Sequence, residues 1–220
     1  MIAGEFIGNI VEGVREGKGI LKWPNGDVYT GNFKNGVRSG RGIFKEPSSH
    51  TYEGNWTLSQ RDGKGKETWP NGDTYVGEYQ RDKMHGQGEL ITKGGKFSGT
   101  MKEGIKEGMG TMSFKNGSRY EGQWKNGRMH GKGLYIWKDT VKYEGEWVNG
   151  ERTGTGMTTM ANGERHDGLY IANQMQGPGW WRFTSGKVRP GEWRDNKLAR
   201  WTGPEQFEAQ MKAKRMLKKG

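Results

Sequence analysis

Tyr120 to Trp137 reads YEGQWKNGRMHGKGLYIW, and the fold follows from how this stretch is read. Tyr120, Gly122 and Trp124 are two residues apart, so in an extended chain they share one face, while Glu121, Gln123 and Lys125 point to the other. Asn126-Gly127 can take positive φ at both central positions, the type I′ turn that joins antiparallel strands. Beyond the turn, Gly131, Gly133, Tyr135 and Trp137 fall on one face of a second strand. The stretch is a β-hairpin with an aromatic, glycine-bearing side and a charged side.

Working outward, the pattern recurs with its first position at Phe6, Tyr29, Tyr52, Tyr75, Phe97, Tyr120, Tyr143, His166 and Arg189. The spacing is 23 residues throughout, except for 22 between Tyr75 and Phe97. A Gly-x-Gly recurs in step, from Gly17/Gly19 to Gly177/Gly179. This makes eight repeats and a broken half-repeat around Trp193. Short connections force successive strands to be antiparallel neighbours. The expectation is an all-β fold: an elongated single-layer antiparallel meander of about eight 23-residue hairpins over residues 5–201. Glycine weakens a strand unless something else lies close to it. Gly122, Gly131 and Gly133 are therefore read as structural, seating rings from the fifth-position ladder Phe33, Trp56, Tyr79, Trp124, Trp147 and Tyr170. Strand twist should coil the sheet, and the aromatic face is the one expected to be concave.

Composition supports a repeat array over an ordinary core. Only 30% of the 220 residues are hydrophobic and 40 are Gly, too little bulk for a two-layer interior. Ten Trp, 8 Tyr and 7 Phe are too many aromatics for a disordered chain. The net charge is +11, and residues 187–220 hold ten Lys/Arg against four Asp/Glu, so about half the excess sits at one end. That end, 202–220, reads as a separate basic tail. Thr202 is expected to cap a helix with Glu205 three residues later, and Phe207 to Lys219 has no internal Gly or Pro. With no cysteine, thiol chemistry is excluded. No apolar run approaches the ~20 residues of a membrane span, and the repeats begin at Phe6, which predicts no signal peptide and a cytoplasmic setting.

The register Y-x-G-x-W, then N-G, then x-G-x-G, as in Tyr120 to Gly133, resembles the MORN repeat over about 190 residues. The resemblance implies a single-layer antiparallel sheet and a non-catalytic scaffold or adaptor role in cytoskeletal, axonemal or membrane-associated assemblies, with phosphoinositide binding attributed to some members. Some relatives carry a catalytic domain beside the repeats, and no stretch of this sequence outside them is long enough to house one. Ile10 and Met101 replace the fifth-position aromatic, His166 and Arg189 replace the first, and Gln80-Arg81-Asp82 lacks a turn glycine. A local kink or a weak groove near Phe97–Met101 and a ladder ending after Trp193 are expected.

Enzyme chemistry finds no support. His85 and His130 both precede a Gly-x-Gly two repeats apart, about 19 Å, too far to share a metal. No Gly-Lys-Ser/Thr follows the glycines, so they are not a phosphate loop. No metal, cofactor or small-molecule substrate is expected. Aromatics and basic residues lie on opposite faces, which argues against nucleic acid. A single layer cannot cover its own apolar face, and such a face predicts an interaction site. A partner helix or segment is expected along the aromatic face, at Trp56, Trp69, Tyr79, Trp124, Trp137, Trp147 and Trp181. The alternative is a peripheral adaptor holding anionic lipid or an acidic partner through Lys212, Lys214, Arg215, Lys218 and Lys219.

Overall fold

The computed structural model describes residues 4–217, apart from the side chains of 210, 211 and 213–217. Eighteen antiparallel strands follow one another in an open meander, and one helix comes after them. The chain forms two compact units that divide between Gly108 and Met109. The N-terminal unit holds β1 (Glu5–Val11), β2 (Val14–Lys22), β3 (Val28–Lys34), β4 (Val37–Lys45), β5 (Thr51–Thr57), β6 (Gln60–Thr68), β7 (Thr74–Gln80), β8 (Lys83–Thr92) and β9 (Gly95–Lys102). The division falls inside β10 (Ile105–Phe114). The C-terminal unit continues with β11 (Arg119–Lys125), β12 (Arg128–Ile136), β13 (Lys142–Val148), β14 (Glu151–Thr159), β15 (Arg165–Ile171), β16 (Gln174–Arg182), β17 (Val188–Arg194), β18 (Lys197–Trp201) and α1 (Pro204–Leu217).

Two kinds of turn alternate. Within each hairpin both central residues have positive φ, as at Asn126 (50°) and Gly127 (75°), the type I′ geometry. The turn survives without glycine at Leu58-Ser59, Arg81-Asp82, Ala172-Asn173 and Asp195-Asn196. All four gain a side-chain acceptor in exchange: Arg38 N donates to Ser59 Oγ, Arg61 N to Asp82 Oδ1, Arg152 N to Asn173 Oδ1 and Met175 N to Asn196 Oδ1. Between hairpins the chain turns differently. Gly26 N bonds Trp23 O, Trp23 N bonds Asp27 O, and Gly26 alone carries the positive φ, while Asn25 holds Asp27 N. Asn71-Gly72, Asn116-Gly117 and Asn162-Gly163 share this second form.

The two glycines of each Gly-x-Gly have different jobs. Gly122 pairs with Gly133, and the register then jumps to Gln123 with His130, a bulge that leaves Gly131 and Lys132 out of the ladder with β11. Gly131 meets that bulge with a φ of +57°. Gly122 and Gly133 instead make room for a ring: a Cβ at Gly122 would lie 2.6 Å from the Tyr120 hydroxyl, and one at Gly133 within 2.5 Å of a Tyr120 ring carbon. The seated ring is thus the first-position Tyr of the same hairpin, not the fifth-position ring. Tyr29, Tyr52, Tyr75 and Tyr143 sit the same way on their own glycine pairs.

Tyr29, Tyr52, Tyr120 and Tyr143 are each then flanked by two fifth-position rings, whereas Tyr75 meets Tyr79 and the next hairpin offers Met101. Tyr29 meets Phe33 of its own hairpin at 5.2 Å and Trp56 of the next at 5.3 Å, both edge-on. Tyr120 does the same with Trp124 and Trp147 at 5.3 and 5.4 Å. Edge-on pairs are worth about 1 kcal/mol each beyond burial, so rings stacked from hairpin to hairpin do the work of a second layer. The expected kink at Phe97–Met101 is not found. Both residues are 1% exposed, β9 pairs with β8 in unbroken register, and the missing residue is taken up by the tight turn between Thr92 and Gly95. Nor does the ladder stop at Trp193, because β18 completes a hairpin with Gly191 opposite Trp201. Thr202 does not cap α1: Phe207 N bonds Gly203 O, and the buried Thr202 Oγ1 has no partner among the described residues.

Candidate functional site

The aromatic face divides into an inner and an outer set. Trp56, Tyr79, Trp124 and Trp147, read from sequence as partner contacts, are 3–5% exposed and belong to the ring stack. Trp69, Trp137 and Trp181 are half-buried and keep surface open. Inner rings with polar tips satisfy them locally. Trp56, Trp124 and Trp147 donate their indole N–H to the carbonyls of Gly42, Gly110 and Gly133 at 3.1–3.2 Å. Where the fifth position is Tyr, the facing residue of the preceding hairpin becomes polar. Tyr79 donates to Glu67 at 2.7 Å, and Tyr170 lies 2.6 Å from Thr158 Oγ1. Elsewhere that position holds Leu21, Phe44, Leu90, Met112, Tyr135 or Trp181, so a buried hydroxyl and its partner arrive together.

The face also carries charge that the sequence reading missed. Nine residues after the first aromatic stand Arg15, Arg38, Arg61, Lys106 and Arg152, and that shared position was the available signal. Arg38 lies over Trp56 at 4.1 Å, and Arg152 over Trp137 and Tyr143 at 5.3 and 5.4 Å. Burial holds Arg38, Arg152 and Lys106 below their ordinary values. Glu67, 4% exposed, accepts from Arg61 Nη1 and Tyr79 and lies 2.7 Å from His50 Nε2. Burial alone would lower the His50 pKa, but Glu46 and Glu67 outweigh it and raise it.

In the C-terminal unit His166 takes a seat that Tyr fills elsewhere. It is fully buried, its Nδ1 lies 3.0 Å from the Tyr170 hydroxyl, and its Nε2 has no partner among the described residues. Burial pushes its pKa down to about 4. His85 and His130 stand in β8 and β12, and among the described residues no group of three or more His, Cys, Asp or Glu is placed to hold a metal ion.

The opposite face carries shallow troughs. In the N-terminal unit one of about 490 Å³ is lined by Lys18, Ile20, Thr30, Arg41, Ile43 and Glu53. In the C-terminal unit one of about 700 Å³ is lined by Glu121, Leu134, Glu144, Met157 and Asp167 among others. The expected hollow on the aromatic side has a smaller counterpart of about 450 Å³ at Trp23, Arg38 and Phe44. α1 lies on the non-aromatic face, with the Phe207 ring 4.4 Å from Trp180. Lys212 on this helix is exposed, while Lys218 and Lys219, and the side chains of Lys214 and Arg215, lie outside the described residues. No helix among the described residues is long and apolar enough to cross a membrane.

Among solved structures, the wild-type TCP10 domain of Danio rerio CPAP is 13% identical, with 84% of this chain and 89% of that one covered at a TM-score of 0.46. The SAS-4 TCP domain of Drosophila melanogaster, solved in complex with a proline-rich motif of Ana2, is 11% identical, with 87% and 90% covered at 0.36. At these TM-scores the likeness supports no functional conclusion. No curated protein matches the sequence. The MORN repeat matches eight times in succession, at 6–28, 29–49, 52–74, 75–96, 97–119, 120–140, 143–165 and 166–188. Those boundaries coincide with the hairpins and their seated rings, and the chain belongs to the MORN-repeat family.

Proposed function

We propose that this chain is a non-catalytic scaffold or adaptor whose units each offer outer aromatic residues to a helix or extended segment of a protein partner, Trp69 in the N-terminal unit and Trp137 and Trp181 in the C-terminal one. The observation that carries this reading is the split of the aromatic face. The inner rings are consumed by the stack, whereas Trp69, Trp137 and Trp181 are half-buried and keep part of their surface exposed. Large rings fixed in place lose little freedom on binding, and such anchors commonly dominate an interface. The assembly it serves is cytoskeletal, axonemal or membrane-associated, as in relatives.

The test is recovery of partners by the tagged chain at native expression, identified by mass spectrometry. Replacing Trp69, Trp137 and Trp181 together by Ala should abolish recovery of a defined set while leaving the melting transition in place. Unchanged recovery by that folded variant overturns the proposal. Exposed Lys212 on α1 supports the second reading, contact with anionic lipid. Co-flotation with anionic vesicles that survives Lys212→Glu together with Lys214→Glu and Arg215→Glu removes it.

A further inference from the structure

One row of cross-strand partners runs over the non-aromatic face of the C-terminal unit. Glu121 pairs with Leu134, Leu134 with Glu144, Glu144 with Met157, Met157 with Asp167, Asp167 with Trp180, and Trp180 with Pro190. Acid and apolar side chains therefore alternate strand by strand, and successive acids stand two strands, about 10 Å, apart. Glu121, Glu144 and Asp167 are exposed, while Leu134 and Met157 are half-buried in the floor of the trough between them. Glu121 holds Arg119 at 2.9 Å, but neither Glu144 nor Asp167 has an ion pair among the described residues.

The far end of the same row is already occupied. There the acids give way to Trp180 and buried Pro190, and α1 seats Phe207 on Trp180. The face thus accepts a helix where its row is apolar and leaves the acid–apolar stretch over β11–β15 uncovered by any described residue. We propose that this stretch is a docking surface for a basic amphipathic helix of a protein partner, lying along the row. Lys or Arg at i and i+7 of such a helix are about 10.5 Å apart, matching the spacing of the acids. Apolar residues between them would meet Leu134 and Met157. The equivalent row of the N-terminal unit, Ile7, Ile20, Thr30 and Ile43 and then Glu53 and Lys66, lacks this alternation, and Glu53 lies 3.9 Å from Arg41.

The probe is a labelled synthetic helix of Leu and Lys with Lys at heptad spacing, titrated with the full chain by fluorescence anisotropy. Binding should weaken about tenfold or more in Glu144→Lys/Asp167→Lys, as expected for lost charge pairs, and stay unchanged in the control Glu53→Lys/Glu89→Lys. It should also weaken as salt rises. Should the double reversal fail to fold, Glu144→Gln/Asp167→Asn is expected to show the same direction of change. A chain that ignores the Leu/Lys helix, binds its Leu/Glu counterpart equally, or binds undiminished after the double substitution overturns the proposal. So does self-association that disappears in the double variant without any peptide binding, which assigns the row to a second copy. Because the outer tryptophans lie on the other face, their Ala variants should leave this titration unchanged, and the two readings fail separately.

Discussion

The two units solve the same packing problem but satisfy its buried polar groups differently, one with a charged cluster and one with neutral partners. In both, a first-position Tyr covers a pair of glycines and is clasped by two fifth-position rings. The N-terminal unit then places Arg38, Arg61, Glu67 and His50 among the rings. At matching positions the C-terminal unit has Met129, Arg152 and Met175, its counterpart of Glu67 is the neutral Thr158, and it puts a neutral histidine, His166, in a Tyr seat. Glu67 and Thr158 occupy the same place in their repeats and both serve a tyrosine hydroxyl, one as an anion tied to Arg61 and one as a neutral partner. The repeat dictates which position is buried and leaves open how its polarity is satisfied.

The sharpest way to break this comparison is to fill the seats. Gly42→Ala would drive a methyl into the Tyr29 ring and should cost at least about 3 kcal/mol. Gly179→Ala faces the shorter His166 ring, with the Asp167 carbonyl 3.1 Å away, and should cost about 1 kcal/mol less by denaturant unfolding. Equal costs would mean that seats and rings are not matched.

Acid should separate the units next. The unfolded His166 takes a proton near 6.5, whereas the folded one resists it to about 4. The unfolded state therefore gains protons first, and about 3 kcal/mol of stability should be lost as pH falls from 6.5 to 4. His50 has the opposite sign: its pKa is raised in the folded chain, so its contribution is complete below 6.5 and fades as pH rises through the raised value. Hydrogen exchange across this range should show β15–β17 loosening in acid while β5–β7 do not. His166→Tyr should remove the acid sensitivity.

Glu67→Ala strands Arg61 and the Tyr79 hydroxyl and should cost about 2 kcal/mol, discounted for the partial exposure of Arg61. Thr158→Ala strands one neutral hydroxyl and should cost about 1 kcal/mol. Reversal of that order would contradict the electrostatic contrast. The smallest effect belongs to the turns. Asn173→Gly relieves a φ of 71° but removes the acceptor for Arg152 N, so the net change should stay within about 0.5 kcal/mol.

Much of this was legible beforehand. Hairpins, faces and the Asn-Gly turns follow from period-two alternation and turn chemistry within a dozen residues of Tyr120. Parity sets Trp124 and the outer Trp137 on one inferred face but does not say that the first is fully covered. What separates them is the preceding hairpin, which covers Trp124 and accepts its N–H at Gly110. Glu67 was likewise unreadable as buried, since its partners His50, Arg61 and Tyr79 sit on three neighbouring stretches.

Local chemistry in the sequence alone determined the repeat, its period, the strand order and the side each residue takes. The tertiary structure decided which ring occupies each glycine seat, which tryptophans remain open, and that acids and apolar residues line up from Glu121 to Asp167. The reason is register. A residue's own strand fixes its face, but its neighbours are set by bulges and pairings between hairpins, where Gly131 and its counterparts shift the ladder before the next strand is laid down.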